Sequence, residues 1–218
     1  MDEFVRLHQD WQKLLAKSVI TELAVLWPLL DIDNLRGTTA PWLKAVRPVI
    51  ERGWLASQYL AAEFYKNSRR QALPDAEPME VDVPNPYGAF GFPVSAPKDV
   101  QMKILVSQRV TGPAWLENHD TGELSSSQRL EILRSGFSKA SGAATRQVLN
   151  GGRVLVQLAA SADPMAAGVQ RVVDERSDCA SCQSAAREPA LKSAGEKRMW
   201  AAVAGHDFCR CTARPVFL

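Results

Sequence analysis

Apolar residues recur at intervals of three and four from Asp2 to about Trp27, where Phe4, Leu7, Trp11, Leu14, Leu15, Leu23, Leu26 and Trp27 predict one greasy stripe on a long helix. Pro28 and the stretch Asp31-Ile-Asp-Asn34 end that pattern. A second helical pattern takes Thr39 as its N-cap and Pro41 in its first turn. It runs through Trp42, Val46, Val49, Tyr59 and Phe64 towards Arg70, with Pro48 as a point for a kink. Two such helices joined by a short loop predict an antiparallel hairpin over residues 1–72, with Trp11, Trp27, Trp42 and Trp54 supplying much of its buried area. A two-helix hairpin cannot bury every aromatic by itself, so a partner-binding surface is the alternative use of these tryptophans.

Residues 73–99 break the pattern. Pro74, Pro78, Pro84, Pro86, Pro93 and Pro97 fall within twenty-five positions and exclude a continuous helix, since each removes an amide donor. The segment reads as an extended linker or as an arm lying across another surface, and Tyr87, Phe90 and Phe92 favour an arm that packs.

From residue 100 onwards helix and strand signals alternate. Val100 to Val110 fits a strand or a short helix, and a capped helical pattern begins at Ser125 to Ser127. It continues through Leu130, Leu133, Phe137 and Val148 to Leu158, but Gly136, Gly142, Gly151 and Gly152 predict two helices rather than one. Gly168 to Asp174 is β-branched and reads as a strand that leads into Cys179. Pro189 and Ala190 to Ala204 read as a helical or irregular insertion, and Cys209 to Phe217 as a closing strand. The resulting fold class is α+β: an N-terminal long-helix hairpin, a proline-rich arm, and over residues 100–218 a small α+β module with a Cys/His-clipped β-hairpin.

Composition changes this picture little. With 46% apolar and 23% charged residues and a net charge of +2, the chain is an ordinary soluble one. No apolar run approaches the roughly twenty residues that cross a bilayer, and Asp2 and Glu3 do not open a secretory signal, so synthesis and folding in the cytosol are expected. The charge is uneven. Residues 125–218 carry thirteen Lys or Arg against eight Asp or Glu, net +5, whereas the first 124 carry thirteen against sixteen, net −3. This asymmetry reads first as a solvated face of mixed charge, since no long basic run or aromatic ladder marks a nucleic-acid surface, and contact with an anionic partner is the alternative.

The candidate chemistry lies at the C-terminus. All four cysteines fall in Cys179-Ala-Ser-Cys182 and, after twenty-three intervening residues up to His206, in His206-Asp-Phe-Cys209-Arg-Cys211. A thiolate pair two residues apart curls around one cation, and a Cys-x-Cys pair with a nearby imidazole closes the other side, so a tetrahedral zinc site is the leading reading. Four thiolates, or three with the His206 imidazole, satisfy it equally well. Disulfides and reduced thiols that merely pack remain open, and a redox use of Cys-x-x-Cys lacks the parallel-sheet setting, between a strand and a helix, of a thioredoxin-like site.

The helical Ala143-Ala-Thr-Arg-Gln-Val-Leu-Asn-Gly-Gly152, the strand Val169-Gln-Arg-Val-Val173, Asp178-Cys-Ala-Ser-Cys182 and the terminal Gly205-His-Asp-Phe-Cys-Arg-Cys-Thr-Ala-Arg-Pro-Val-Phe217 resemble the Mu F-like minor head proteins of tailed bacteriophages, particularly actinobacterial ones. The resemblance covers residues 125–218. It implies an α+β C-terminal module in a virion protein that associates with the portal inside the procapsid, in contact with portal, major capsid or scaffold protein and with packaged DNA. A role in head assembly, packaging or DNA delivery follows from it. Cys179, Cys182, His206, Cys209 and Cys211 carry over as ligands, whereas Phe208 stands where many relatives have a second His. Arg187-Glu-Pro-Ala190 replaces their Gly-Pro turn. Some members are labelled capsid maturation proteases. A serine protease needs a base and an orienter, and the remaining histidines, His8 and His119, lie in a helical pattern and a polar turn. A Cys/His hydrolase and a free-standing zinc-ribbon nucleic-acid module are the rival expectations.

Overall fold

Helix α1 spans Glu3–Leu26 and turns through two short 3-10 segments, Trp27–Leu29 and Ile32–Asn34, into α2, Leu35–Ala72. The computed structural model describes residues 3–83, 95–119, 124–174, 179–195, 205–207 and 209–218. Then follow α3 (Lys98–Thr111), α4 (Pro113–Glu117), α5 (Ser126–Ala162), β1 (Ala166–Val172), α6 (Ala180–Ala186), β2 (Ala190–Leu191), a 3-10 turn (Lys192–Ala194) and β3 (Thr212–Phe217). The fold is α+β, with long helices first and a three-stranded antiparallel sheet of order β2-β1-β3 at the end. Among the described residues no helix is long and apolar enough to cross a membrane.

Helix α2 begins earlier than its sequence pattern predicts. The Asn34 side chain accepts a hydrogen bond from Gly37 N at 3.1 Å and is the cap. Thr39, expected in that role, lies inside the helix and returns its hydroxyl to Leu35 O at 2.6 Å. The helix runs unbroken past Pro41 and Pro48.

The α1 stripe is also corrected. Phe4, Leu7, Trp11 and Leu14 are exposed, Leu7, Trp11 and Leu14 by about half, while the face turned inward is Val5, His8, Gln9, Gln12, Ala16, Val19 and Leu23. Its polar members have partners or stacking contacts. Ser57 Oγ donates to Gln12 Oε1 at 3.2 Å, Gln9 Nε2 donates to Val172 O at 3.5 Å, and the His8 ring stacks on Phe64 at 4.4 Å. The lower half of the stripe behaves as expected, with Leu23 buried and Leu26 and Trp27 packed on the core around Trp42.

Burial and the nearby Arg153 cation lower the His8 pKa from 6.5 to about 3. The unfolded chain therefore takes up this proton before the folded one. The contribution is fully present above pH 6.5 and is lost as pH falls towards 3, by up to about 1.4 kcal/mol per pH unit. Replacing His8 by Phe is expected to flatten that part of the profile, read from urea midpoints at pH 7 and pH 4.

Helix α5 is single, not two. Ser125 and Gln128 form a capping box at its start, with Ser125 N donating to Gln128 Oε1 at 2.9 Å. Its glycines are contact points rather than breaks. A Cβ at Gly151 would lie 2.6 Å from Trp54 O, and one at Gly152 would lie 2.8 Å from Ser57 O, so α5 packs backbone to backbone along α2. The loss of helix propensity, roughly 1 kcal/mol per glycine, is offset by this close interface.

The proline-rich segment packs where it is described: Met79, Val81 and Val83 lie on the core formed by α1, α2, α5 and the sheet. Tyr87, Phe90 and Phe92 fall outside the described residues. Below that core, Asp163 at the end of α5 is fully buried and accepts from Tyr65 Oη at 3.0 Å, Arg69 Nε at 2.9 Å and Met165 N at 3.0 Å. Burial pushes its carboxyl up, but these donors outweigh it and hold the pKa below the ordinary value.

Candidate metal centre

Strand β1 pairs with β3 so that Val172 lies opposite Thr212. The chain leaving β1 and the chain entering β3 are thereby neighbours, which brings the two cysteine pairs to one end of the sheet. The strands are adjacent without being a hairpin, because α6 and β2 intervene in the chain, and β2 occupies the other edge. Gly168 lets it approach, since a Cβ there would lie 2.2 Å from Ala190 O. Ala190 and Leu191, expected in the irregular insertion, are this strand. β3 starts at Thr212, so Cys209 and Cys211 precede it rather than sharing a strand face.

Cys179 is the N-cap residue of α6 and Cys182 sits in its first turn. A turn in which Cys209 N donates to His206 O at 3.0 Å folds the second pair back. His206 Nε2 then lies 3.1 Å from Cys179 Sγ and 3.2 Å from Cys182 Sγ, and Cys182 Sγ lies 3.7 Å from Cys209 Sγ. The donor atoms of Cys179, Cys182 and His206 fall within 4.8 Å of one another, as do those of Cys182, Cys209 and Cys211. Cys182 belongs to both groups. No disulfide links the four cysteines. The five side chains expected as ligands thus converge as two overlapping sets of three, and each set is close enough to hold a metal ion.

The imidazole is set for this. Its Nδ1 lies 2.8 Å from Asp207 O, and a carbonyl only accepts, so Nδ1 carries a proton and Nε2 is the nitrogen that faces the sulfurs. That hydrogen bond to the Asp207 carbonyl, together with nearby Cys209 and Cys179, raises the His206 pKa despite partial burial.

Two buried arginines surround the thiols. Arg171 Nη1 lies 3.6 Å from both Cys182 Sγ and Cys209 Sγ. Arg153, 3% exposed, donates from Nε and Nη2 to Cys211 O at 3.1 and 2.7 Å and from Nη2 to Cys209 O at 2.9 Å. A hydrogen bond from the Cys211 thiol, then the charges of Arg153 and Arg171, bring the Cys209 pKa down to about 4 against its burial. Cys211 moves the other way, as the donor of that bond and as a buried thiol. Thiolate is the form that binds metal, so the cationic surroundings favour it.

Compared with family models, curated proteins and solved structures, the chain matches none. The site therefore stands on its geometry.

Two of its supporting residues are missed by the sequence reading. Asn150 Oδ1 accepts from Arg153 Nη1 at 2.8 Å and from Gly205 N at 3.2 Å, and Arg146 Nη1 pairs with Asp207 Oδ1 at 3.1 Å. Arg146, Asn150 and Arg153 follow one another at four and three positions, so one face of α5 is a polar platform for the 205–211 segment. That spacing is visible in the sequence, within the glycine-containing stretch that predicts a helix break. Gly205 leaves room for the guanidinium here, since a Cβ would lie 2.0 Å from Arg153 Nη1 and displace that side chain.

Proposed function

We propose that this chain is a structural and interaction protein, a minor head component of a tailed bacteriophage held at the portal or inner shell, with a zinc ion clipping its C-terminal segments. The observation that carries the clip is the convergence of Cys179, Cys182, His206, Cys209 and Cys211 at adjoining strand ends. The Cys182 to Cys209 sulfur separation of 3.7 Å suits the edge of a tetrahedron with Zn–S bonds of about 2.3 Å, and the imidazole Nε2 lies 3.2 Å from the shared Cys182 sulfur. Zinc bound there joins the ends of β1 and β3 and fixes the intervening chain. Cys182, Cys209 and Cys211 are each less than 5% exposed, which suits ligands better than nucleophiles that must reach a substrate.

The head-protein part rests on the resemblance of residues 125–218 and on an exposed apolar face. Leu7, Trp11 and Leu14 form an outward stripe on α1 with the spacing of a helix that docks on another helix. Portal protein, shell or scaffold is the partner proposed for it. Mass spectrometry of purified particles and procapsids is expected to find the chain at the portal vertex or the shell, and its absence from both sinks the assignment. Trp11→Lys removes a large exposed aromatic without touching the core. Incorporation into particles is expected to fall about tenfold or more, with the thermal midpoint of the free protein unchanged.

A further inference from the structure

A groove of about 500 Å³ runs between α1 and α5 and is bordered by Arg210, the residue between Cys209 and Cys211. Ala16, Ile20 and Leu149 give it apolar surface, and Lys13, Lys17 and Arg210 give it cations, with no carboxylate lining it among the described residues. Lys13 is held by Asp10 at 3.3 Å and Asp174 at 3.5 Å. Lys17 and Arg210 form no ion pair among the described residues, so no described carboxylate compensates their charge.

Thr145 supplies an independent sign. It lines the same groove, is 3% exposed, and its hydroxyl has no hydrogen-bond partner among the described residues. Helical threonines elsewhere in the chain return theirs to the carbonyl one turn back, Thr21 to Lys17 O, Thr39 to Leu35 O and Thr111 to Ser107 O. A buried hydroxyl without a partner, under a cation-rimmed groove, is an unused polar contact.

We propose that this groove binds a small amphipathic carboxylate, its apolar body on Ala16, Ile20 and Leu149, its head between Lys17 and Arg210, with Thr145 as a further polar contact. The volume lies within the range of about 300–1,000 Å³ usual for small-molecule sites, and one-sided charge with an apolar wall selects an anion that carries a hydrocarbon part. The site is distinct from the exposed stripe on α1 and does not depend on the head-protein reading. Because Arg210 stands between two candidate metal ligands, the clip also places one of the two cations that hold the head.

Decanoate serves as the probe. Calorimetric titration of the full chain, metal-loaded in reducing buffer, is expected to show one binding site. Decyltrimethylammonium, with the same tail and the opposite charge, is expected to bind at least about tenfold more weakly. Lys17→Glu, at an exposed position that leaves folding intact, is expected to weaken decanoate about tenfold or more. Ala16→Phe, which fills the groove without changing charge, is expected to remove the heat of binding. Equal affinity for the two amphiphiles, decanoate affinity unchanged in Lys17→Glu, or no heat of binding with decanoate overturns the proposal.

Discussion

Replacing Cys182 by Ser is expected to abolish stoichiometric metal binding and to loosen the chain from Cys179 to Cys211. Cys182 is the one sulfur shared by both donor groups, so no arrangement that uses the site's geometry dispenses with it. Structural zinc contributes about 10–16 kcal/mol where it organises a whole small domain. Here a helical core exists beside the proposed clip, so removing a bound ion is expected to free the C-terminal segments while leaving α1, α2 and α5 folded. Metal analysis of protein purified in reducing buffer gives the stoichiometry, and protease resistance of the C-terminal segments with and without chelator gives the structural effect. Five donors exceed the four that zinc takes, and Cys179→Ser and Cys211→Ser identify the spare. The variant that keeps its metal names the side chain outside the coordination sphere. A metal-free protein whose C-terminal segments are as protected as those of the loaded one would reduce the cysteine cluster to packing.

Arg153→Met is the second large effect. The guanidinium is buried and donates to the carbonyls of both Cys209 and Cys211 and to Asn150. Methionine fills part of the volume but leaves those carbonyls without donors and removes one of the two cations beside the thiols. Breaking a buried charged hydrogen-bond set of this kind costs about 3–5 kcal/mol, which urea unfolding resolves easily. Weaker metal retention is expected with it, because the pull that keeps Cys209 ionised is reduced. Arg146→Ala is the internal comparison. Its pair with Asp207 is about a third or more exposed on each side, so the expected loss is about 1 kcal/mol or less. Equal effects from the two arginines would show that the platform on α5 acts through general packing rather than through the clip's carbonyls.

Both effects concern residues that differ in how far they could be read from the chain. Cysteine knots announce themselves in their spacing, so the convergence of these side chains was legible, and the antiparallel neighbours β1 and β3 explain why the knots meet. Arg153 was not legible as a clamp, because an arginine in a helical pattern is ordinarily a solvated one, and only the chain returning at 205–211 covers it. The glycines of α5 misled for a similar reason. Each lowers helix propensity locally, yet Gly151 and Gly152 lie where α2 passes within contact of the backbone, and that tertiary contact outweighs the local cost. On α1 the period was right and the phase was wrong at the N-terminal end. Val5, Ala16 and Val19 share the buried face with His8, Gln9 and Gln12, whose polar groups find Ser57, Val172 O and Phe64 inside, leaving Trp11 outside.

What the sequence by itself determined is therefore what depends on neighbours a few positions away: the helical period, the capping box at Ser125, the strand before Cys179 and the spacing of the cysteine and histidine side chains. Which face each helix buries, whether glycine breaks a helix or seats another one, and which cations stand behind the thiols were decided only by tertiary structure. Those outcomes depend on desolvation and on partners up to 163 positions distant, as for Gln9 and Val172, and no local pattern encodes where such a partner will arrive.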